Sequence, residues 1–187
     1  MSPYQDSYHN PLSKIRINSK GVYMSSFAIE GGQSLKGAYI PSGNKNAAFP
    51  TLSAAILTDE PVTIHNIPDI GDIETMLAIL EGLGVEVTQH SRHSVTVRAG
   101  KIDKTIPDLE LFGQIRGALV LMGSMLAREG KITLCAPGGD KIGRRRIDTH
   151  LLALEALGAT MTYNGDFTLT AEGLRGADHL LDEASVT

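Results

Sequence analysis

A lysine and an asparagine in a turn of small residues, Ser42-Gly43-Asn44-Lys45-Asn46, stand directly before a run with helical spacing. The first amides of a helix have no intrahelical acceptor, and its dipole favours negative charge there. With the Lys45 ammonium added, the turn suits a phosphate or carboxylate. The plainer alternative is a capping turn with a solvated lysine. Arg116 is a second candidate, set in a helical run between Phe112 on one side and Leu119 and Val120 on the other. A buried guanidinium needs a carboxylate or phosphate partner, whereas a partly exposed one snorkels, here past Phe112. The third segment is Pro137-Gly138-Gly139-Asp140-Lys141-Ile142-Gly143-Arg144-Arg145-Arg146. Its glycines suit a mobile lid, and its three arginines against one aspartate favour an anionic ligand. By itself it also reads as a basic surface loop.

Cys135 ends an apolar strand just before this loop and reads as a structural, buried thiol. The six histidines lack metal-ligand spacing, and no zinc or calcium motif is present, so no metal site is implied.

The bulk numbers bound the rest. A chain of 187 residues with 42% hydrophobic and 20% charged residues describes a globular protein with a real core. A net charge of −4 and the lack of aromatics among the arginines argue against nucleic acid as a partner. The single cysteine fits a reducing compartment, the start lacks an apolar signal segment, and the apolar run 117–127 is too short to span a bilayer. The expectation is a cytoplasmic protein with no membrane contact.

Residues 1–26 read as a flexible extension, with a short strand at most over 15–17. From residue 27 onward the spacing predicts order. A helix over about 47–57 is expected to hold Pro50 in its first turn, where an amide hydrogen is not needed. A strand at 62–64 follows, then a helix capped by Asp72 and stopped by Gly84, then strands at 85–87 and 94–97. The order repeats: a helix from Pro107 to about Leu126, a strand at 132–134, the Gly/Arg loop, a helix over 148–157 stopped by Gly158, and strands near 160–162 and 167–169. Leu77, Leu80, Glu81, Leu83 and Gly84 recur as Leu151, Leu154, Glu155, Leu157 and Gly158, an offset of 151 − 77 = 74. Such units cannot close a core alone, so they must pack together, helices inside and sheets outside or the reverse. Residues 180–187 read as the opening of a third unit.

With the repeat and the three segments in hand, the stretch from about residue 27 to residue 187 resembles the UDP-N-acetylglucosamine 1-carboxyvinyltransferases. The resemblance rests on Ser42-Gly43-Asn44-Lys45-Asn46-Ala47-Ala48, Ile115-Arg116-Gly117-Ala118 and Pro137-Gly138-Gly139-Asp140-Lys141-Ile142-Gly143. Further matches are Arg145, Asp148, His150, Leu157-Gly158-Ala159 and Ser185-Val186. It implies an α/β (α+β) fold of βαβαββ units, an inside-out barrel of two lobes, of which this chain is one, incomplete, with residues 27–187 as the N-terminal lobe. The implied reaction moves the enolpyruvyl group of phosphoenolpyruvate onto the 3-hydroxyl of UDP-N-acetylglucosamine, the first committed step of peptidoglycan synthesis, and needs no metal or organic cofactor. The implied partner is a C-terminal lobe that carries a catalytic aspartate and a phosphoenolpyruvate-clamping arginine, so the 187 residues alone are expected to be inactive.

By position, the resemblance implies that Lys45 and Asn46 contact phosphoenolpyruvate and the sugar nucleotide. Arg116 serves the nucleotide-sugar site, Arg145 binds phosphate, Arg146, Ile147, Asp148 and Thr149 line the uridine, and Glu183, Ala184, Ser185 and Val186 approach the diphosphate. Asp140 falls where most members carry a reactive cysteine, the proton donor that fosfomycin alkylates. A carboxylic acid can still act as a general acid, but it forms no stable thioether, so fosfomycin resistance is expected. Arg146 stands where proline is usual. Two alternatives remain open on the sequence: a non-catalytic nucleotide-sugar-binding half or scaffold, and a relative of the shikimate-pathway enolpyruvyl transferase.

Overall fold

The structure is a computed structural model that describes residues 32, 34, 36–138 and 146–181, together with the backbone of 13–17 and 23–27. It divides into two compact units at Ile40/Pro41. In the first, strands β1 (Ser13–Ile17) and β2 (Tyr23–Phe27) pair antiparallel, Ser13 opposite Phe27 and Ile17 opposite Tyr23. Both lie largely within the stretch read as a flexible extension. The sequence shows the first strand but not its partner, because Tyr-Met-Ser-Ser-Phe lacks an apolar alternation.

The second unit opens with helix α1 (Lys45–Ala55). Asn44 is its N-cap, with Oδ1 accepting from the Ala47 amide at 3.1 Å. This cap starts the helix two residues before the expected position and moves Pro50 out of the first turn into the interior. Pro50 has no N–H to give the Asn46 carbonyl, while Thr51 donates its hydroxyl to the Ala47 carbonyl at 2.8 Å. The helix buries Ala48, Phe49, Leu52 and Ala55 on one side.

Strand β3 (Val62–His65), helix α2 (Gly71–Gly82) and strands β4 (Glu86–Ser91) and β5 (Ser94–Arg98) complete the first repeat. Asp72 does not cap α2: Ile70 holds that position without a side-chain bond, and Asp72 lies inside the first turn. Gly84, at φ +99°, turns the chain out of the helix as read from the sequence.

The second repeat departs from expectation in one respect. The single helix expected over 107–126 is three pieces: α3 (Leu109–Phe112), a 3-10 turn (Arg116–Val120) and α4 (Leu121–Glu129). Asp108 caps α3 through bonds from the Glu110 and Leu111 amides, and Ile115 is extended at φ −128°, ψ 126°. The break brings Gly117 against the Phe49 ring, where an added Cβ would stand 2.4 Å from Cε2. Apolar spacing alone does not reveal such a break, since all three pieces present the same buried face. Strand β6 (Lys131–Leu134), helix α5 (Asp148–Ala156) and strands β7 (Thr160–Tyr163) and β8 (Phe167–Thr170) follow.

The two repeats agree in detail. Their sheets have the orders β3-β5-β4 and β6-β8-β7, antiparallel throughout. Thr63 and Thr96 share a hydroxyl hydrogen bond of 2.8 Å, and Thr133 and Thr168 share one of 3.0 Å. The Leu83 carbonyl accepts from Asp103 N at 2.9 Å, and its counterpart Leu157 accepts from Arg175 N at 2.8 Å. Each sheet turns Val95 and Val97, or Ile132, Leu134 and Leu169, into a common core with α1, α2 and α4, and its threonines away. Helices therefore lie inside and sheets outside. Each fully buried aliphatic side chain in this core contributes about 1.5–3 kcal/mol.

Polar stitches join the repeats within the core. Ser53 donates to the Val120 carbonyl at 2.9 Å and bonds Ser124 at 2.8 Å. Arg128, half-buried, donates to the carbonyls of Ile56 and Ala99, closing the C-terminal end of α1. Of residues 180–187, read as the start of a third unit, only 180 and 181 are described.

Candidate functional site

The Ser42–Asn46 turn is held by its glycine. An added Cβ at Gly43 would stand 1.8 Å from the Asn66 carbonyl oxygen, so the backbone there lies directly on the loop between β3 and α2. That contact places the start of α1 beside the start of α2. Lys45, the first residue of α1, extends Nζ to within 2.9 Å of Asp72 Oδ2, and both side chains are about half exposed. Asn46 is exposed, and its side chain has no hydrogen-bond partner among the described residues. An ammonium, an uncommitted amide side chain and first-turn amides thus converge at one helix end, with one carboxylate already against the ammonium. Asp72 is the residue sequence reasoning missed. Its signal was present, an acid in a first helical turn, but it was read as a cap.

Arg116 opens the 3-10 turn rather than lying mid-helix. It is half-buried, and its Nη2 donates to the Arg146 carbonyl at 2.7 Å. Among the described residues its guanidinium meets a backbone carbonyl and no carboxylate. Arg146 closes on Asp148 in a fork, Nε to Oδ1 at 2.9 Å and Nη2 to Oδ2 at 2.7 Å. Hydrogen bonding from Arg146 holds the Asp148 carboxyl below the usual aspartate range. Ile147, half-buried, is the N-cap position of α5 and packs against the core, and Thr149 is buried. Arg116, Arg146, Ile147, Asp148 and Thr149 are therefore brought together. Phe49, one turn along α1 from Lys45, touches Gly117 beside Arg116 and so links the two groups.

Asp140, Arg145, Glu183, Ala184, Ser185 and Val186 lie outside the described residues. Cys135 is half-buried; its thiol donates to the Leu109 carbonyl at 3.3 Å, and burial pushes its pKa up, which disfavours the reactive thiolate. A cleft of about 620 Å³ at the far end of the second sheet, lined by Thr160, Thr170, Glu172 and Arg175, includes none of the site residues. Among the described residues no group of His, Cys, Asp and Glu could hold a metal ion, and no helix is long and apolar enough to cross a membrane.

The family profile described as EPSP synthase (3-phosphoshikimate 1-carboxyvinyltransferase) matches residues 29–187. The chain belongs to this family. Its relatives within the EPSP synthase family include the UDP-N-acetylglucosamine 1-carboxyvinyltransferase of Bradyrhizobium diazoefficiens, 45% identical over 161 residues, which are 86% of this chain and 37% of the relative. The enzyme of the same name from Porphyromonas gingivalis is 44% identical over 171 residues, 88% of this chain and 39% of the relative. The chain thus spans under two fifths of the length of these relatives. Among solved structures of enolpyruvyl transferases, NikO from Streptomyces tendae matches with a TM-score of 0.64 at 30% identity, over 79% of this chain and 32% of that one. The EPSP synthase of Acinetobacter baumannii matches with a TM-score of 0.62 over 83% of this chain and 37% of that one, at 16% identity, a likeness of fold alone. The fold is that of one lobe of an enolpyruvyl transferase.

Proposed function

We propose that the whole protein transfers the enolpyruvyl group of phosphoenolpyruvate to the 3-hydroxyl of UDP-N-acetylglucosamine. The observation that carries this reading is the 44–45% identity to transferases named for that acceptor, across nearly all of the family-matched stretch. The acceptor hydroxyl attacks C2 of phosphoenolpyruvate while C3 takes a proton, giving a tetrahedral phosphorylated intermediate. Loss of a proton from C3 and of inorganic phosphate from C2 then leaves the enolpyruvyl ether. Fixed cations around the departing phosphate stabilise it without reorganisation.

In this reading Lys45 and Asn46 hold phosphoenolpyruvate and the sugar nucleotide at the start of α1, and the incoming anion displaces Asp72 from Lys45. Arg116 belongs to the nucleotide-sugar side. Ile147, Asp148 and Thr149 line the uridine with the backbone of Arg146, whose guanidinium is committed to Asp148. Arg145 binds phosphate, residues 183–186 approach the diphosphate, and Asp140 is the proton donor. Residues 1–26 are an extension to the lobe formed by 27–187, and catalysis needs a second lobe. The setting is the cytoplasm, and the product feeds cell-wall peptidoglycan. The test is phosphate release from phosphoenolpyruvate by the full-length protein, offered UDP-N-acetylglucosamine or shikimate 3-phosphate. Release with the first alone is expected; release with shikimate 3-phosphate alone contradicts the reading.

A further inference from the structure

We propose that Arg116 is a positioning residue that fixes the start of α5 and, through it, the Arg146–Asp148 pair. Its contact with substrate rests on the function above; its positioning role does not. Helix α5 opens on Ile147, which makes no side-chain cap bond, and the Asp148 carboxylate accepts from the amides of Asp148 and Thr149; the backbone of Arg146, just before the helix, is held by a contact from elsewhere. Arg116, thirty residues earlier, supplies it: a charge-assisted bond of 2.7 Å from Nη2 to the Arg146 carbonyl. Arg146 then chelates the carboxylate two residues on, in the first turn of α5.

The donor is itself held in place. Ile115 before it is buried and extended, and Gly117 after it sits against the Phe49 ring. The same short break receives a second contact, because an added Cβ at Gly138 would stand 1.3 Å from the Gly113 carbonyl oxygen. Gly138 and Arg146 are the described residues that flank 139–145, and both rest on 113–116. The break in the expected helix thus has a use: it turns an arginine out of an apolar face and onto the backbone of a distant segment. Arg116 keeps its positive charge uncompensated by any carboxylate among the described residues, so one side chain can hold Arg146 and still attract an anion.

The test uses the full-length protein carrying Arg116→Met, with hydrogen exchange measured without any ligand. Amides 147–150 are expected to exchange about tenfold faster or more, with the amides of α1 and α2 unchanged. In turnover assays the KM for UDP-N-acetylglucosamine is expected to rise about tenfold with kcat within about twofold. If the Met variant does not fold, Arg116→Lys, which keeps the charge on a shorter, single-point donor, is read in the same way. Exchange at 147–150 equal to that of the unmodified protein overturns the proposal. Because exchange is measured without substrate, that failure is distinct from failure of the proposed reaction, which shows only in turnover.

Discussion

At the scale of single residues, the Lys45–Asp72 pair sets up a competition. An exposed ion pair is worth about 0.2–1 kcal/mol, so Asp72 restrains Lys45 weakly and an anion can replace it. Asp72→Asn is expected to tighten phosphoenolpyruvate binding by up to about fivefold, most clearly at low salt, in calorimetric titration of the full-length protein. Weaker binding would mean that Asp72 holds Lys45 in its working pose instead. The Arg146–Asp148 fork gives a separate expectation with a definite sign. The Asp148 pKa is depressed in the folded chain, so whatever the pair contributes is present above the ordinary aspartate range and is lost as pH falls through the lowered value. An NMR titration should find Asp148 below its usual value of 3.8 and should find it raised by Arg146→Gln. A titration unchanged by that substitution would assign the shift to some other cause.

Among the elements, the contact between α1 and the 3-10 turn carries the geometry. Gly117→Ala places a methyl group within 2.4 Å of the Phe49 ring and must push the two apart. Overpacking of this kind costs about 1–3 kcal/mol, and chemical denaturation of the full-length protein should show it as a lower midpoint with an unchanged slope. A midpoint equal to that of the unmodified protein would mean that the ring moves aside freely. This element also shows where sequence reading stops. The repeat was legible because Leu83-Gly84 and Leu157-Gly158 each combine a leucine packed on the core, buried at 83 and partly buried at 157, with a positive-φ glycine, a local requirement visible in one dimension. The break at 113–115 was not, because Phe112, Leu119, Met122 and Leu126 keep helical spacing across it. Pro50 and Asp72 were placed wrongly for a related reason: one side-chain bond from Asn44 decided where α1 starts, and Lys45 claims the carboxylate expected to cap α2. Lys45, Asn46 and Arg116 stand out as candidates by residue type and position, whereas Asp72 and the Arg146 carbonyl, which meet Lys45 and Arg116, depend on contacts 27 and 30 residues apart in sequence.

For the whole molecule, two copies of one helix-and-sheet unit share a core and set Lys45, Arg116 and Arg146 at or just before helical starts. The repeat explains the fold, and departures from it mark the candidate site: the glycine-bound turn before α1, the broken helix, and Arg146 before α5. On the proposed function, this arrangement serves enolpyruvyl transfer to a nucleotide sugar. The most direct measurement is to incubate the full-length protein with phosphoenolpyruvate and UDP-N-acetylglucosamine and to determine the nucleotide product by NMR. An enolpyruvyl ether on the sugar 3-oxygen, formed with one inorganic phosphate per ether, is the expected result. Recovery of unmodified UDP-N-acetylglucosamine, with shikimate 3-phosphate converted under the same conditions, would contradict it.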